Sequence, residues 1–226
     1  MCDTPKNART EVVEVGVLGM EITKLEAKQR RRAGEVATSA FFDYPMMRHY
    51  FPNSKTRKRK LRWYLEQTLR CAVRFGEVWV TPDCCGVLFV LPPGHTRLTD
   101  KEFIQNGFLF VPFVMGLGNY KRSNECEAFV ADTQERLLGE RAHYYLWGLV
   151  TDPQAQRRGV GSALLKKLTA KADAEKLPIY LETHAQSNVA YYERFGFQLI
   201  HTDTIPKHGL ALWCMLREAG HERAVD

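Results

Sequence analysis

Three segments met in order restrict this chain's fold more than anything else in it. His143 to Val150 is an apolar run with strand character, and Thr151-Asp-Pro-Gln-Ala-Gln-Arg-Arg-Gly-Val-Gly-Ser162 is a turn. A helical period then runs over about 158–176, with Val160, Ala163, Leu164, Leu168 and Ala172 on one stripe. A strand that feeds a helix through glycines leaves the first helical N–H groups free and adds the positive end of the helix dipole. Glycines there also remove side chains where an anion must reach the backbone, so a pyrophosphate fits the turn. Arg157 and Arg158 beside it supply guanidinium groups suited to phosphate oxygens. The spacing is neither G-x-G-x-x-G nor G-x-x-x-x-G-K-[ST], which disfavours NAD and nucleoside triphosphates. Taken alone, Gly159-Val-Gly161 also reads as a plain strand-to-helix connection.

The rest of the chain alternates helix-like and strand-like segments without a linker, so residues 13–218 are expected to form one α/β domain between tails at 1–12 and 219–226. Val12 to Val17 and Glu21 to Leu25 read as strands, and about 26–41 as a helix broken at Pro45, with an aromatic loop following. Leu61, Tyr64, Leu65, Leu69 and Ala72 give Lys55 to Phe75 a helical period. Glu77 to Val80 and Cys85 to Leu91 read as a hairpin around Thr81-Pro-Asp83. The stretch 99–138 allows two helices around Pro112 and Gly116 to Gly118 without firm boundaries. Strands at 179–183, 197–202 and 210–216 and a helix at 187–195 complete the pattern.

Composition narrows the function classes. At 226 residues and 45% apolar content the chain can bury a substantial core. It has neither an apolar run of membrane-spanning length nor a secretory h-region, so a cytoplasmic protein without membrane partners is expected. Six scattered cysteines with no C-x-x-C read as reduced thiols. The histidines show no i, i+4 pairing, so no metal is expected; His184 reads as a surface residue, the alternative being a place in the acceptor site two residues past Glu182. The net charge of +6 owes much to Lys55-Thr-Arg-Lys-Arg-Lys-Leu-Arg62. Without an accompanying nucleic-acid motif this is the solvated face of a helix, and no nucleic-acid partner is expected.

Gln156-Arg-Arg-Gly-Val-Gly161 resembles the pyrophosphate loop of the GNAT acetyltransferases, which reads Gln/Arg-x-x-Gly-x-Gly/Ala at the start of a helix. The resemblance implies a mostly antiparallel twisted sheet splayed at the coenzyme site and flanked by helices, with acetyl-CoA as co-substrate. It implies coenzyme contacts from Gln156, Arg157, Arg158, Gly159, Val160, Gly161 and Ser162, and pairing of the pantetheine arm with the backbone of Leu149 and Val150. Tyr192, within Tyr191-Tyr-Glu-Arg-Phe-Gly-Phe197, stands where these enzymes carry a tyrosine aimed at the coenzyme sulfur, so its implied role is general acid. Asn188 lies one helical turn earlier on the same face and is assigned to the pantetheine or the turn.

Glu182 alternates with Tyr180 on an apolar strand, where a carboxylate is costly without a partner or a task. It reads as the general base that frees an amine lone pair, directly or through water; a structural ion pair is the competing account. Ala40-Phe-Phe-Asp-Tyr-Pro45, Gly76 to Val80, Tyr180 to Thr183, Asn188 to Phe197 and Trp213-Cys-Met215 also resemble the puromycin N-acetyltransferase group. That likeness implies transfer to the primary amine of a small molecule, puromycin or a related aminonucleoside or toxin, with Tyr44 in the acceptor pocket. Trp147 and His143 are further candidates for shaping that side. Pro92 to Arg141 does not follow that group, so the acceptor is left open, as is the choice between monomer and homodimer. A silent acyl-CoA-binding module and a transferase acting on peptide or protein amines remain alternatives.

Overall fold

The computed structural model describes residues 20–106 and 108–220. The expected strand at Val12 to Val17 and the tail at 1–12 lie outside the described residues, as does most of the tail at 219–226. Within them runs a seven-stranded sheet in the order β1-β2-β3-β4-β5-β7-β6. Its strands are β1 (Thr23–Lys24), β2 (Glu77–Val80), β3 (Gly86–Leu91), β4 (Tyr144–Thr151), β5 (Ile179–Thr183), β6 (Gln198–Ile205) and β7 (Leu210–Arg217). Every neighbouring pair is antiparallel except β4 and β5.

Alternation along the strands sorts the core onto two faces, as a period of two requires. Val78, Val87, Phe89, Tyr145 and Tyr180 join one apolar cluster, while Trp79, Leu88, Val90, Leu146 and Leu181 join the other. The first face is covered by α1 (Arg30–Phe41), α2 (Pro45–Tyr50), α3 (Ser54–Phe75) and α6 (Leu117–Leu138), with the short α4 (Asp100–Gln105) and α5 (Val111–Met115) before the last of these. The second is covered by α7 (Val160–Ala174) and α8 (Ser187–Glu193).

Three expectations are corrected. The aromatic loop expected after Pro45 is the helix α2, because Pro45 occupies its first turn, where a missing N–H costs nothing. The basic run is only partly a solvated face. Arg57 is 6% exposed and donates to the carbonyls of Phe51 and Pro52, and Lys60 Nζ donates to that of Met115 at 2.6 Å. The stretch 99–138 holds three α-helices and a 3-10 turn at Phe108–Phe110 rather than two helices. Cys71, Cys84, Cys85, Cys126 and Cys214 are free thiols, and no helix of the described residues is long and apolar enough to cross a membrane.

Two irregularities open the sheet. β4 pairs with β5 only at Tyr144 and Tyr145, after which the strands part, so the β5-facing edge of β4 from Leu146 onward has no strand partner. Opposite, the β3–β4 register shifts between Phe89 and Val90, which leaves Trp147 as the extra residue of a bulge. The bulge resets the alternation: Tyr145 faces the first cluster, yet beyond it Leu149 packs on the second and Val150 on the first.

Candidate active site

The gap between β4 and β5 is continuous with two depressions. One is a groove along Leu149, Thr151, the turn and the start of α7, closed by Asn188, Tyr191, Tyr192 and Arg194 from α8 and the residue after it. The other is a cavity of about 90 Å³ on the opposite side of the splay, lined by Tyr44, Glu127, Tyr145, Trp147, Glu182 and His184 among others. Leu149, Asn188 and Tyr192 line both, so the two meet at these three side chains.

The groove has the character of an anion site. Gly159 caps α7 at φ 78°, and Arg157 is also left-handed at φ 62°, an arrangement that turns successive N–H groups toward one side. At Gly161 any Cβ would stand 3.1 Å from the Tyr191 hydroxyl and 3.3 Å from Thr151 Oγ1, so a side chain there would narrow the groove. Arg157 and Arg194 bring positive charge to the lining, and Gln156, Gly159, Val160, Gly161 and Ser162 complete it. Arg158 and Val150, named with them from the sequence, do not line it. Arg158 is exposed, and Val150 is 4% exposed with its side chain in the core. Any contact from Val150 is therefore confined to its backbone.

In the cavity, Glu182 is held between strands with Cys214 opposite it on β7. The Tyr145 hydroxyl donates to its Oε1, and Oε2 has no hydrogen-bond partner among the described residues. Desolvation pushes its carboxyl up to about 8, helped by the neighbouring negative charge of Glu127 and opposed by the Tyr145 hydrogen bond. No ion pair accompanies Glu182 among the described residues, so the competing structural account lacks its partner. Tyr192 is 9% exposed between Tyr191 and Phe197, and burial holds its phenol well above the ordinary range.

The remaining candidates form a scaffold around Thr183. Its Oγ1 accepts from Asn188 Nδ2 at 3.0 Å and lies 3.0 Å from the Tyr44 hydroxyl, which itself accepts from the His184 N–H at 2.7 Å. Trp147 lines the cavity with its ring edge-on to Phe89. His184 is not the surface residue expected. It is 5% exposed, bonded through Nδ1 to the Ala211 carbonyl, and burial lowers its pKa to about 4, which keeps it neutral. His143 stands apart from the cavity, bonded to Gln134 and to the Arg141 carbonyl.

Sequence reasoning missed Tyr145 and Glu127. Tyr145 stands two residues before Trp147 on the same strand, so alternation alone puts it on the same face. Glu127 sits in the stretch whose boundaries the sequence did not define. Two histidines also converge in space without i, i+4 spacing: a ring nitrogen of His49, one of His208 and Cys126 Sγ lie within 4.8 Å of one another, away from the cavity lining. The two rings hydrogen-bond to each other, and Glu125 lies 3.1 Å from the far nitrogen of His208.

Residues 99–197 match the Acetyltransferase (GNAT) family. An uncharacterized N-acetyltransferase of Schizosaccharomyces pombe is 26% identical over 183 residues, covering 79% of this chain and 74% of the yeast protein. Among solved structures, the Corynebacterium glutamicum protein of the histone acetyltransferase HPA2 and related acetyltransferase group superimposes with a TM-score of 0.63 at 19% identity, over 90% of this chain and 98% of that one. Arylalkylamine N-acetyltransferase 2 from Aedes aegypti gives 0.59 at 11% identity, over 88% and 99%. At such identities these two structures speak to the fold alone.

Proposed function

We propose that this chain is an acetyltransferase of the GNAT superfamily and that it moves the acetyl group of acetyl-CoA onto the primary amine of a small molecule, with Glu182 as base and Tyr192 as acid. The observation that carries this is the meeting of an anion-type groove and a carboxylate-lined cavity at Leu149, Asn188 and Tyr192. A thioester laid along the groove with its phosphates on the turn brings its acyl end to that junction, where an amine in the cavity can reach it.

The residues answer the two proton problems of such a transfer. An alkylammonium, with a pKa near ~10, has no lone pair until a base removes a proton. Glu182, poised at about 8 with Oε2 uncommitted, is a base matched to mildly alkaline working pH, and Tyr145 fixes its orientation. On the other side the departing thiolate, near ~8.5 as a free thiol, gains from a donor. Tyr192 lines both depressions, and burial keeps its hydroxyl protonated, so it can donate a hydrogen bond to the sulfur as charge develops there. Tyr44, Thr183 and Asn188 brace α8 against β5, which keeps Tyr192 at the junction.

A cavity of about 90 Å³ has room for only a few water molecules, which favours a slim acceptor headgroup over a bulky one. Puromycin, suggested by the sequence resemblance alone, joins the panel of amines as its bulky member. The expected result is amine-dependent release of coenzyme A, followed by thiol detection. Tight acetyl-CoA binding with no turnover on any small amine or peptide would instead favour a silent binding module.

The groove makes a separate prediction. Gly161→Val places a branched side chain where Tyr191 and Thr151 already crowd the backbone. Loss of one charge-assisted contact to a phosphate is worth roughly 1.5–3 kcal/mol, so KM for acetyl-CoA should rise about tenfold or more while kcat changes less. An unchanged KM would remove the turn from coenzyme binding.

A further inference from the structure

Glu127, on α6, is a carboxylate the transfer chemistry leaves without a task. Protein atoms crowd it, yet its side chain keeps accessible surface because open space lies against it. It lines the inner cavity and also two adjoining depressions that lead outward along α4 and α6. The hydroxyls of Tyr50 and Tyr64 both donate to its Oε1 at 3.0 Å, while Oε2 takes no hydrogen bond among the described residues. It has no ion-pair partner among them either, a costly state for a carboxylate so placed unless a cation arrives from outside.

The charges around it agree. No lysine or arginine lines the inner cavity or the larger adjoining one, of about 410 Å³, where the other carboxylate is Asp100. The third depression is lined by Arg97, but that guanidinium is bound to Asp132 and Glu135 at 3.3 and 2.6 Å. Trp147, which lines all three, offers an aromatic face.

We infer that the acceptor is dibasic: while one amine is acetylated at Glu182, a second cationic nitrogen of the same molecule is held by Glu127 Oε2 in the corridor walled by Trp147 and Tyr64. Glu127 is thereby a specificity-determining residue, and the class of acceptor is a slim diamine or an amine bearing a distal guanidinium. This rests on the reading of the chain as an amine acetyltransferase with Glu182 at the acceptor.

The test is a ladder of α,ω-diaminoalkanes against n-alkylamines of matching chain length, with acetyl-CoA saturating. For the best-fitting length, kcat/KM should favour the diamine by about tenfold to a hundredfold, the range of a charge-assisted hydrogen bond. Glu127→Gln keeps the shape and the acceptor oxygen for Tyr50 and Tyr64 and should collapse that ratio. A wild-type ratio at or below one overturns the inference while amine acetylation stands, and it needs no variant to fold. A folded Glu127→Gln that keeps the ratio also overturns it. Should no amine be acetylated, the proposed function fails separately. Calorimetry with the same two amines in the presence of coenzyme A then decides, and equal or absent binding of the diamine overturns the dibasic claim.

Discussion

Glu182→Gln should lower kcat with the best amine acceptor by about 10² to 10⁴-fold, the range for loss of a positioned general base. It should leave the fold intact at neutral pH, because the native carboxyl, pushed up to about 8, is mostly protonated there and glutamine resembles that form. The pH dependence follows from the same displacement. A base must be deprotonated to act, so wild-type kcat/KM should be low at pH 6 to 7 and climb through about 8, and the variant should lose that limb.

Stability carries an independent signature. A carboxyl ordinarily near 4.5 that sits near 8 in the folded protein stabilises most fully below 4.5, and that contribution is lost as pH rises through about 8. Wild-type Tm should therefore fall across that window by an amount that Glu182→Gln abolishes. A variant with an undiminished rate removes Glu182 as base. One with the kinetic loss but an unchanged Tm slope places the perturbed carboxyl elsewhere, Glu127 being the nearest candidate, since burial raises it too.

What the sequence made legible follows the physics of each element. Strand β5 was readable residue for residue, because a short β-branched and apolar run between turns has few alternatives. The turn and α7 were readable because glycines and a 3.6-residue stripe coincide. The two α-helices of 99–115 were not, because Pro112 sits inside the first turn of α5 rather than at a break, Gly116 ends α5 and begins α6 with no linker between, and no single period spans the segment. His184 was misplaced for a related reason. A lone polar residue after a strand gives no periodic signal, and its burial depends on the Ala211 carbonyl, 27 residues on, accepting its Nδ1–H. Alternation sends Leu149 and Val150 to opposite clusters, but which residue faces which is set by the bulge at Trp147, which no alternation rule foresees.

Tyr192→Phe should cost about 10²-fold in kcat and change acetyl-CoA affinity little, the lower end of the usual range for a general acid. The lower end follows from its surroundings. Burial, and the neighbouring Tyr44, Tyr191 and Glu182, hold the phenol far above its ordinary value, whereas a free thiol titrates near ~8.5. Complete transfer from so weak an acid to a thiolate is uphill, so Tyr192 contributes chiefly a hydrogen bond to charge as it develops on sulfur. The hydroxyl is well suited to that, because no residue described around it takes its proton in a hydrogen bond. Its ring meanwhile packs against Tyr191 and Phe197, contacts that phenylalanine preserves. The variant should therefore fold as wild type, and its deficit should shrink for an acetyl donor whose thiol is more acidic and departs without help. A deficit equal for all donors would place the role of Tyr192 in binding or packing, and an unchanged rate would remove it from the chemistry.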